Sequence, residues 1–367
     1  METKETKKSE ARLMKGNEAL AEAAIRAEID AYFGYPITPQ SEVIEYLTRE
    51  VPQRENCKSV VLQAESEVAS INMVYGAAGA GARVMTSSSS PGISLMQEGI
   101  SYIAAAQLPC LLVNVVRGGP GLGTIQPSQG DYFQSTKGGG HGDYRLIVLA
   151  PSSVQEMADF VFDGFKLAEK YRNPVLILSD GALGQMMEKV ILPEAGSLKK
   201  TPAPWATTGK TKDREHNVIT SLFMQSEEME QVNLHMQEKY KTMQKEVRFE
   251  EIQVDDAEFL LVAFGLSSRI CQKTVDLARE KGIKVGLLRP ITLYPFPYDR
   301  LKELSNQVEF MLTVEMNAGQ MVEDVRLAVE GKIPVHFTGR MGGMILSPED
   351  ILHKIESIHE SLNTVKV

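Results

Sequence analysis

The chain has 367 residues, 43% hydrophobic and 24% charged, with a formal net charge of −9. That length exceeds one compact domain at roughly 100–200 residues per domain, and an acidic chain with no Lys/Arg run interleaved with aromatics excludes a groove built to release counterions from nucleic acid. The longest apolar runs are strand-sized, short of the roughly 20 residues of a membrane span, and the first ten residues, METKETKKSE, do not read as a secretory leader, so a cytoplasmic protein is expected.

Asn17 is placed to cap a helix through Ala19, Leu20, Ala23, Ala24 and Ala27, ending at Phe33-Gly34, where glycine accepts a left-handed cap. Gly34-Tyr35-Pro36-Ile37-Thr38-Pro39 follows. This segment is stiff, because each proline fixes its own φ and pushes the residue before it toward extended conformations. It would hold the Thr38 hydroxyl at a defined place. Short aliphatic runs at 60–63, 83–87, 111–116, 146–149 and 175–178 read as strands. Between the last two, Ser153 and Glu156 form a capping box that opens a helix through Met157, Phe160, Val161, Phe165 and Ala168. Strands alternating with helices from about 15 to 190 predict a parallel sheet covered by helices.

Glu65 and Glu67 follow the 60–63 strand and begin an almost uncharged helix of Val68, Ala69, Ile71, Met73, Val74 and Ala77. A carboxylate at a helix start gains about 0.3–1 kcal/mol from the helix dipole, which accounts for one glutamate. Two in one turn suggest that one points into an interior or at a cofactor. The glycine clusters at 76–81, 118–123 and 138–142 lack the Gly-x-Gly-x-x-Gly spacing between a strand and a helix, and no Walker motif is present, so NAD and ATP are disfavoured. Residues 117–145 form a long loop beyond a strand's carboxyl end, carrying Arg117, Gln126, Ser128, Asp131, Lys137, His141 and Asp143. Loops of that length bind something or form an interface. Cys57, Cys110 and Cys271 are far apart, whereas structural zinc and iron–sulfur sites need four soft ligands. No cluster is expected on this chain, and Cys110 reads as a buried thiol.

Beyond 192 the composition turns to Pro, Lys, Thr and Gly, as in a linker, and Met229, Val232, Met236, Tyr240, Met243 and Val247 make one apolar stripe on a charged helix. Such a face docks on its own protein or on a partner subunit. A second βαβ series starts at 257, with strands at 259–264, 285–288 and 310–314 and helices through Ile270 to Ala278 and over 321–329. The expected division is 1–194, a linker at 195–255, and a smaller α/β domain at 256–367.

Taken in order, several segments resemble the 2-oxoacid:ferredoxin oxidoreductases. They are Lys15-Gly16-Asn17-Glu18-Ala19, the 34–39 turn, Gln63-Ala64-Glu65-Ser66-Glu67 with Asn72, the 86–92 segment, Arg117-Gly118-Gly119-Pro120, Arg289-Pro290 with Pro295-Phe296-Pro297, and Glu315-Met316-Asn317 with Gly319-Gln320. The chain is similar to the alpha-type subunit, above all that of the branched-chain (3-methyl-2-oxobutanoate) member, with the 2-oxoglutarate member next. The resemblance implies a parallel-sheet pyrimidine-domain fold for thiamine diphosphate plus a smaller α/β domain like the transketolase C-terminal domain. It implies oxidative decarboxylation of a 2-oxoacid with coenzyme A to acyl-CoA, CO2 and reduced ferredoxin. Glu67 matches the glutamate on the cofactor's pyrimidine. Tyr35, Pro36, Ile37, Thr38 and Arg117 match positions near substrate and coenzyme A. Ser89, Ser90, Pro91 and Gly92 stand where the family reads Ser-Gly-Pro-Gly beside the pyrimidine, a departure that bears on their backbone contacts. The Gly-Asp-Gly and Asn-Asn segments that hold Mg2+ and the diphosphate are absent. The resemblance therefore places them on a beta-type partner, and [4Fe-4S] clusters on partners that include gamma-type and ferredoxin-like subunits. The other readings are a 2-oxoglutarate:ferredoxin oxidoreductase subunit, a different thiamine enzyme, and a non-catalytic scaffold in such a complex.

Overall fold

The alternation of apolar runs with amphipathic helices resolves into two sheets in the computed structural model, which describes residues 11–55, 57–210 and 212–365; the Lys/Glu-rich first ten residues lie outside it. In chain order the first part contains β1 (Ala11–Lys15), α1 (Gly16–Arg26), β2 (Ala31–Gly34), α2 (Ser41–Glu50), β3 (Val60–Gln63), α3 (Glu67–Gly79), β4 (Val84–Ser88), α4 (Ser90–Ala105) and β5 (Cys110–Val116). Then come α5 (Tyr132–Thr136), β6 (Ile147–Leu149), α6 (Val154–Tyr171), β7 (Pro174–Asp180), α7 (Gly181–Gln185) and β8 (Met187–Ile191). After a long irregular stretch follow α8 (Ser226–Met243), β9 (Phe249–Ile252), β10 (Phe259–Val262), α9 (Gly265–Glu280), β11 (Val285–Pro290) and β12 (Thr292–Tyr294). The chain closes with α10 (Tyr298–Leu304), β13 (Phe310–Glu315), α11 (Met321–Val329), β14 (Val335–Gly339) and α12 (Pro348–Val365).

The larger sheet has seven strands in the order β12-β6-β7-β5-β4-β2-β3, and the smaller has five in the order β14-β13-β10-β11-β9. Both are parallel except at one edge, where β12 runs antiparallel to β6 and β9 antiparallel to β11. β5 and β7 are buried along their whole length, as strands covered on both faces must be. Burial also pushes the Cys110 thiol pKa up, in keeping with an inert core cysteine.

The expected helix from Asn17 to Gly34 is two elements. α1 stops at Arg26, Glu28 turns the chain through a positive φ of 55°, and Ala31–Gly34 pairs in parallel with both β3 and β4. The Asp30 carboxylate accepts the Arg83 amide at 2.6 Å, which registers the strand against β4. Sheet pairing here overrides a local pattern that alanine makes look helical. Nor does Asn17 cap the helix. Gly16 opens α1 one residue earlier, in a place where a Cβ would lie 2.1 Å from the Leu183 carbonyl oxygen. The amide of Asn17 instead reaches back to the 34–39 turn.

The Ser153 cap is present, its hydroxyl accepting the Glu156 amide at 3.1 Å. Glu156 answers through the Ser152 amide, at 2.7 Å, and also holds Arg289 from the smaller sheet at 2.6 Å. The Met stripe docks on its own chain, with Met236, Tyr240 and Met243 buried against α6 and the larger sheet. Strands β1, β8, β9, β12 and β14 were not anticipated. β9 falls in the stretch read as linker, and β12 belongs in sequence to the second part yet completes the first sheet.

The 117–145 segment is an interface over much of its length. Gln129, 3% exposed, donates to the Phe264 carbonyl at 2.8 Å and accepts from Ser267 Oγ at 2.9 Å and the Met316 amide at 3.0 Å. Its own carbonyl accepts from Asn317 at 2.9 Å. Beside it Asp324 takes the Tyr132 hydroxyl at 2.6 Å, and Lys137 and Tyr298 as well. Lys137 sits in this interface. One apolar core runs through the contact, joining Tyr132 and Leu146 to Phe264, Phe296 and Met321.

Gln129→Leu strands a buried amide and a buried carbonyl, each costing roughly 1–3 kcal/mol. It should lower stability by about 2–4 kcal/mol, measured by denaturant unfolding. A midpoint within error of the parent would show that the interface is held elsewhere.

Candidate functional site

The carboxyl ends of β2, β3, β4 and β5 meet at one end of the larger sheet, where open α/β sheets place ligands. Ser66, in extended conformation, caps α3 by accepting the Ala69 amide at 3.2 Å. Glu65 therefore falls outside the helix and is exposed, while Glu67 is its first residue and only 6% exposed. The Glu67 carboxylate lies against the first turn of α4. A Cβ added at Gly92 would meet Glu67 Oε1 at 2.6 Å and Ser88 Oγ at 2.0 Å, so the side chains of Glu67 and Ser88 occupy the room glycine leaves.

The 89–92 segment is a helix start, with Ser89 extended at the cap position and Pro91 in the first turn, where a missing amide hydrogen costs nothing. The hydroxyls of Thr86, Ser88 and Ser89 are buried without a protein partner. Buried polar groups are nearly always satisfied. A carboxylate with orphan hydroxyls around a glycine cradle is therefore a place built for a polar ligand.

Ser90 braces a neighbouring strand end instead. Its hydroxyl accepts the Arg117 amide at 3.1 Å and donates to the Arg117 carbonyl at 3.3 Å. The Arg117 guanidinium then bridges two loops, donating to the Thr38 carbonyl at 2.9 Å and the Leu122 carbonyl at 3.0 Å, while its Nε is buried and unpartnered. The 118–126 loop closes on itself through Gly118 N to the Gln126 carbonyl, at 3.0 Å, and Thr124 N to the Gly118 carbonyl, at 2.8 Å. Gly123 has φ +56°, and a Cβ there would be 1.7 Å from the Gly118 oxygen. Only glycine fits.

Thr38 and Tyr35 are exposed on the 34–39 turn. Behind them the Tyr32 hydroxyl donates to Ser87 Oγ (2.7 Å), Ser87 donates to Gln40 Oε1 (2.6 Å), and Gln40 Nε2 donates to the Tyr35 carbonyl (3.3 Å). Burial pushes the Tyr32 phenol well above its ordinary range, so it stays a donor. The Pro39 carbonyl accepts from Asn17 at 2.8 Å and from Gln185 at 3.3 Å. Gln185 ends α7, which is capped by Asp180 through the amides of Ala182 (2.9 Å) and Leu183 (3.1 Å). Burial pushes the Asp180 carboxyl up to about 6.

The structure thus brings Glu67, Ser89, Pro91 and Gly92 together, and seats Thr38 and Arg117 beside them through Ser90. Gln126, by its carbonyl, closes the Arg117 loop. Ser128 donates to the Met316 carbonyl at 3.2 Å, and Asp131 accepts from Asn114 at 2.8 Å. His141 lies edge-on to Tyr102, and the Asp143 carbonyl holds Gln237 of α8 at 2.8 Å. A cavity of about 550 Å3 among Arg26, Asp30, Arg54 and Lys58 opens at the opposite ends of β2 and β3 and shares no residue with the site. Among the described residues no group of three or more His, Cys, Asp and Glu is placed to hold a metal ion, and no helix is long and apolar enough to cross a membrane. Sequence reasoning missed Gln40 and Gln185, and it took Ser87 and Ser88 only as part of the 86–92 segment, without roles of their own. For the serines the signal was a run of four, Ser87 to Ser90, entering an apolar helix.

Residues 22–255 match the family described as pyruvate flavodoxin/ferredoxin oxidoreductase, thiamine diphosphate-binding, and residues 257–351 match pyruvate:ferredoxin oxidoreductase core domain II. The chain is similar to ketoisovalerate oxidoreductase subunit VorB of Methanothermobacter thermautotrophicus, at 51% identity over 94% of this chain and 97% of the relative. It is 38% identical to 2-oxoglutarate synthase subunit KorA of Archaeoglobus fulgidus, over 86% of this chain and 91% of that one. Among solved structures it resembles 2-oxoglutarate:ferredoxin oxidoreductase from Magnetococcus marinus, with 2-oxoglutarate, coenzyme A and succinyl-CoA bound (TM-score 0.79, 27% identity, 95% of this chain and 65% of that chain). A split-gene transketolase, an inactive β4 tetramer, shares the fold at TM-score 0.57 and 12% identity, over 94% of this chain and 97% of that one.

Two measurements test this geometry. Gly92→Ala gains helix propensity of about 1 kcal/mol but forces Ser88 and Glu67 aside, so a net loss of about 1–3 kcal/mol is expected. An unchanged or raised thermal midpoint would mean that Glu67 swings away freely. Asp180 is held above its ordinary 3.8, so the stability its protonated form contributes is complete below about pH 4 and is lost as pH rises through about 6. Asp180→Asn keeps a capping side chain without the charge. It should flatten that slope and raise the midpoint at pH 7; a parent midpoint level across the window would contradict this.

Proposed function

Since the chain belongs to the pyruvate flavodoxin/ferredoxin oxidoreductase family and is a subunit of a 2-oxoacid:ferredoxin oxidoreductase, we propose that it contributes the pyrimidine side of a thiamine diphosphate site acting on a branched-chain 2-oxoacid, 3-methyl-2-oxobutanoate. The observation that carries this is the buried Glu67 carboxylate set against Gly92 among the unpartnered hydroxyls of Ser88 and Ser89. The branched-chain substrate is favoured over 2-oxoglutarate by 51% identity to the ketoisovalerate subunit against 38% to a 2-oxoglutarate one. On this reading residues 1–194 are the pyrimidine-binding domain, 195–255 the linker and 256–367 the transketolase C-terminal-like domain.

Thiamine diphosphate, when bound, supplies the carbon nucleophile and electron sink that decarboxylation of a 2-oxoacid requires. Glu67 would accept a hydrogen bond from the pyrimidine ring nitrogen and hold that proton. Ser89 and Pro91 would line the ring, with Gly92 leaving it room. The hydroxyls of Ser88 and Ser89 offer donors and acceptors to the ring's amino group.

Arg117 would orient the substrate carboxylate. A guanidinium carries five N–H donors, and two are spent on the carbonyls of Thr38 and Leu122. Those two bonds fix its plane, so the remaining donors present a fork of the kind that matches a carboxylate. Tyr35, Pro36, Ile37 and Thr38 would border substrate and coenzyme A, with the Thr38 hydroxyl available at the exposed crest of the turn.

The helix carrying Glu67 supports the need for a partner. Val68 and Met73 of α3, Leu62 of β3 and Leu95 of α4 are all exposed around the carboxylate, at 38–55%, an apolar surface of the kind that marks an interface. We assign that face to a beta-type subunit holding Mg2+ and the diphosphate. Gamma-type and ferredoxin-like partners would supply the [4Fe-4S] clusters that pass electrons to ferredoxin. We place the complex in the cytoplasm.

Glu67→Gln keeps the shape and removes the charge. In the reconstituted complex it should leave assembly intact and cut turnover by about 10²–10⁴; near-normal activity would refute the assignment and favour a scaffold role. Arg117→Lys should raise KM for the 2-oxoacid more than it lowers kcat, since a lysine cannot supply the fork.

A further inference from the structure

The loop that fixes Arg117 is held in part from the second half of the chain. Its tip packs on little: Leu122, whose carbonyl takes the guanidinium, is 83% exposed, and a Cβ at Gly119 or Gly121 would meet nothing within 4 Å. The position of that carbonyl is therefore decided at the base of the loop, where Arg117 pairs with Pro127 and Gly118 bonds Gln126 and Thr124. On one side of the base stands Gly181, where a Cβ would lie 3.3 Å from the Ile125 carbonyl oxygen. On the other stands a tight turn, Met341-Gly342-Gly343-Met344, closed by the Met344 amide on the Met341 carbonyl at 3.2 Å.

Both central residues of the turn have positive φ, +64° and +94°, which explains two glycines in a row but not how closely the turn approaches the loop. A Cβ at Gly118 would lie 2.9 Å from the Gly342 carbonyl carbon and from the Gly343 amide nitrogen. A Cβ at Gly343 would lie 2.4 Å from Gln126 Cβ and 3.0 Å from Thr124 Cγ2, whereas one at Gly342 would meet nothing within 4 Å. Backbone is thus laid on backbone with no room for a methyl group between. The turn is anchored at both ends. Before it, a Cβ at Gly339 would lie 2.6 Å from the Asn317 carbonyl oxygen, and the Arg340 amide bonds the Glu315 carbonyl at 3.3 Å. After it, Leu346 is buried in the core that α9 and α12 share.

We propose that Gly343 is a positioning residue for the 2-oxoacid, acting through the 118–126 loop on the plane of Arg117. A side chain at 343 would push Gln126 away. The Gln126 carbonyl would then leave the Gly118 amide, and the Leu122 carbonyl would leave the guanidinium, so that the fork could turn. The smaller α/β part of the chain thereby takes a share in substrate recognition through backbone packing alone. Its bearing on the substrate rests on the proposed role of Arg117 in holding the carboxylate; the packing of turn on loop does not.

The test measures steady-state kinetics of the reconstituted complex beside hydrogen exchange of peptides spanning 117–126. Gly343→Ala should speed that exchange and raise KM for the 2-oxoacid about tenfold, with kcat within about threefold of the parent. Two further variants separate contact from backbone strain. Gly342→Ala puts alanine at a positive φ in the same turn with no atom to strike, and should leave exchange and KM near the parent values. In a double-mutant cycle with Gln126→Gly the new methyl no longer meets a Cβ at 126, so adding Gly343→Ala should raise KM by no more than about twofold. A parent-like KM in Gly343→Ala, an equal rise in Gly342→Ala, or a full further rise on the Gln126→Gly background would each overturn the proposal. Arg117→Lys serves as the reference. If it raises KM and Gly343→Ala does not, the role of Gly343 fails and that of Arg117 stands. If neither moves KM, the proposal falls with the reading of Arg117, and faster exchange in Gly343→Ala would still locate the clamp.

Discussion

The site rests on a side chain that is not there. Gly92 sits in the first turn of α4 opposite the first residue of α3, and the space a methyl group would fill is taken by Glu67 and Ser88. An acidic group is thereby kept inside the protein wall with, among the described residues, no basic partner in contact, a placement proteins avoid unless something else uses the group. The two helices that meet there are close-packed farther along, where a Cβ at Gly99 would lie 2.5 Å from the Ile71 side chain. The approach of α3 to α4 is therefore set over two helical turns, and Glu67 inherits its position from backbone packing rather than from a bond of its own.

The substrate side of the site is held in a different way. Tyr32, Ser87 and Gln40 form a hydrogen-bonded line beneath the 34–39 turn, and Asn17 and Gln185 hold its far end. Arg117 links that turn to the 118–126 loop. The loop then runs directly into Gln129 and the smaller sheet. Placement of Arg117 thus depends on the contact between the two sheets. The Glu315-Met316-Asn317 segment supports that contact from the other side. It receives Gln129 and Ser128, while the Glu315 carboxylate accepts the amides that open α11.

Much of this was legible in the sequence, and the gaps have definite physical causes. Buried parallel strands announce themselves as continuous aliphatic runs, which is why 111–116 and 175–178 could be placed; 60–63, a mostly exposed edge strand, was readable from its paired valines and the turns that bound it. The Ser66 hydroxyl separates the roles of Glu65 and Glu67, but a serine between two glutamates does not say which of them the cap leaves outside. Ala31–Gly34 was hidden by alanines that favour helix, and only pairing with two distant strands makes it β. Gln40 and Gln129 carry no local signal at all, since what defines them is a set of partners as many as 188 residues away. The Met stripe at 229–243 was readable as a docking face, and the cover it finds, on α6, could be known only from the fold.

The short strands β9 and β12 carry a consequence for how such a chain could be divided. Each is laid on a sheet in the company of residues far from it in sequence, so the two halves are interleaved like clasped fingers rather than strung as beads. A gene broken between 255 and 256 would produce a front fragment with the outer side of β6 bare, and a rear fragment lacking its β9 edge. Fission or cassette exchange at that joint would then yield sticky polypeptides. A workable break would have to fall elsewhere, such as the irregular stretch before α8.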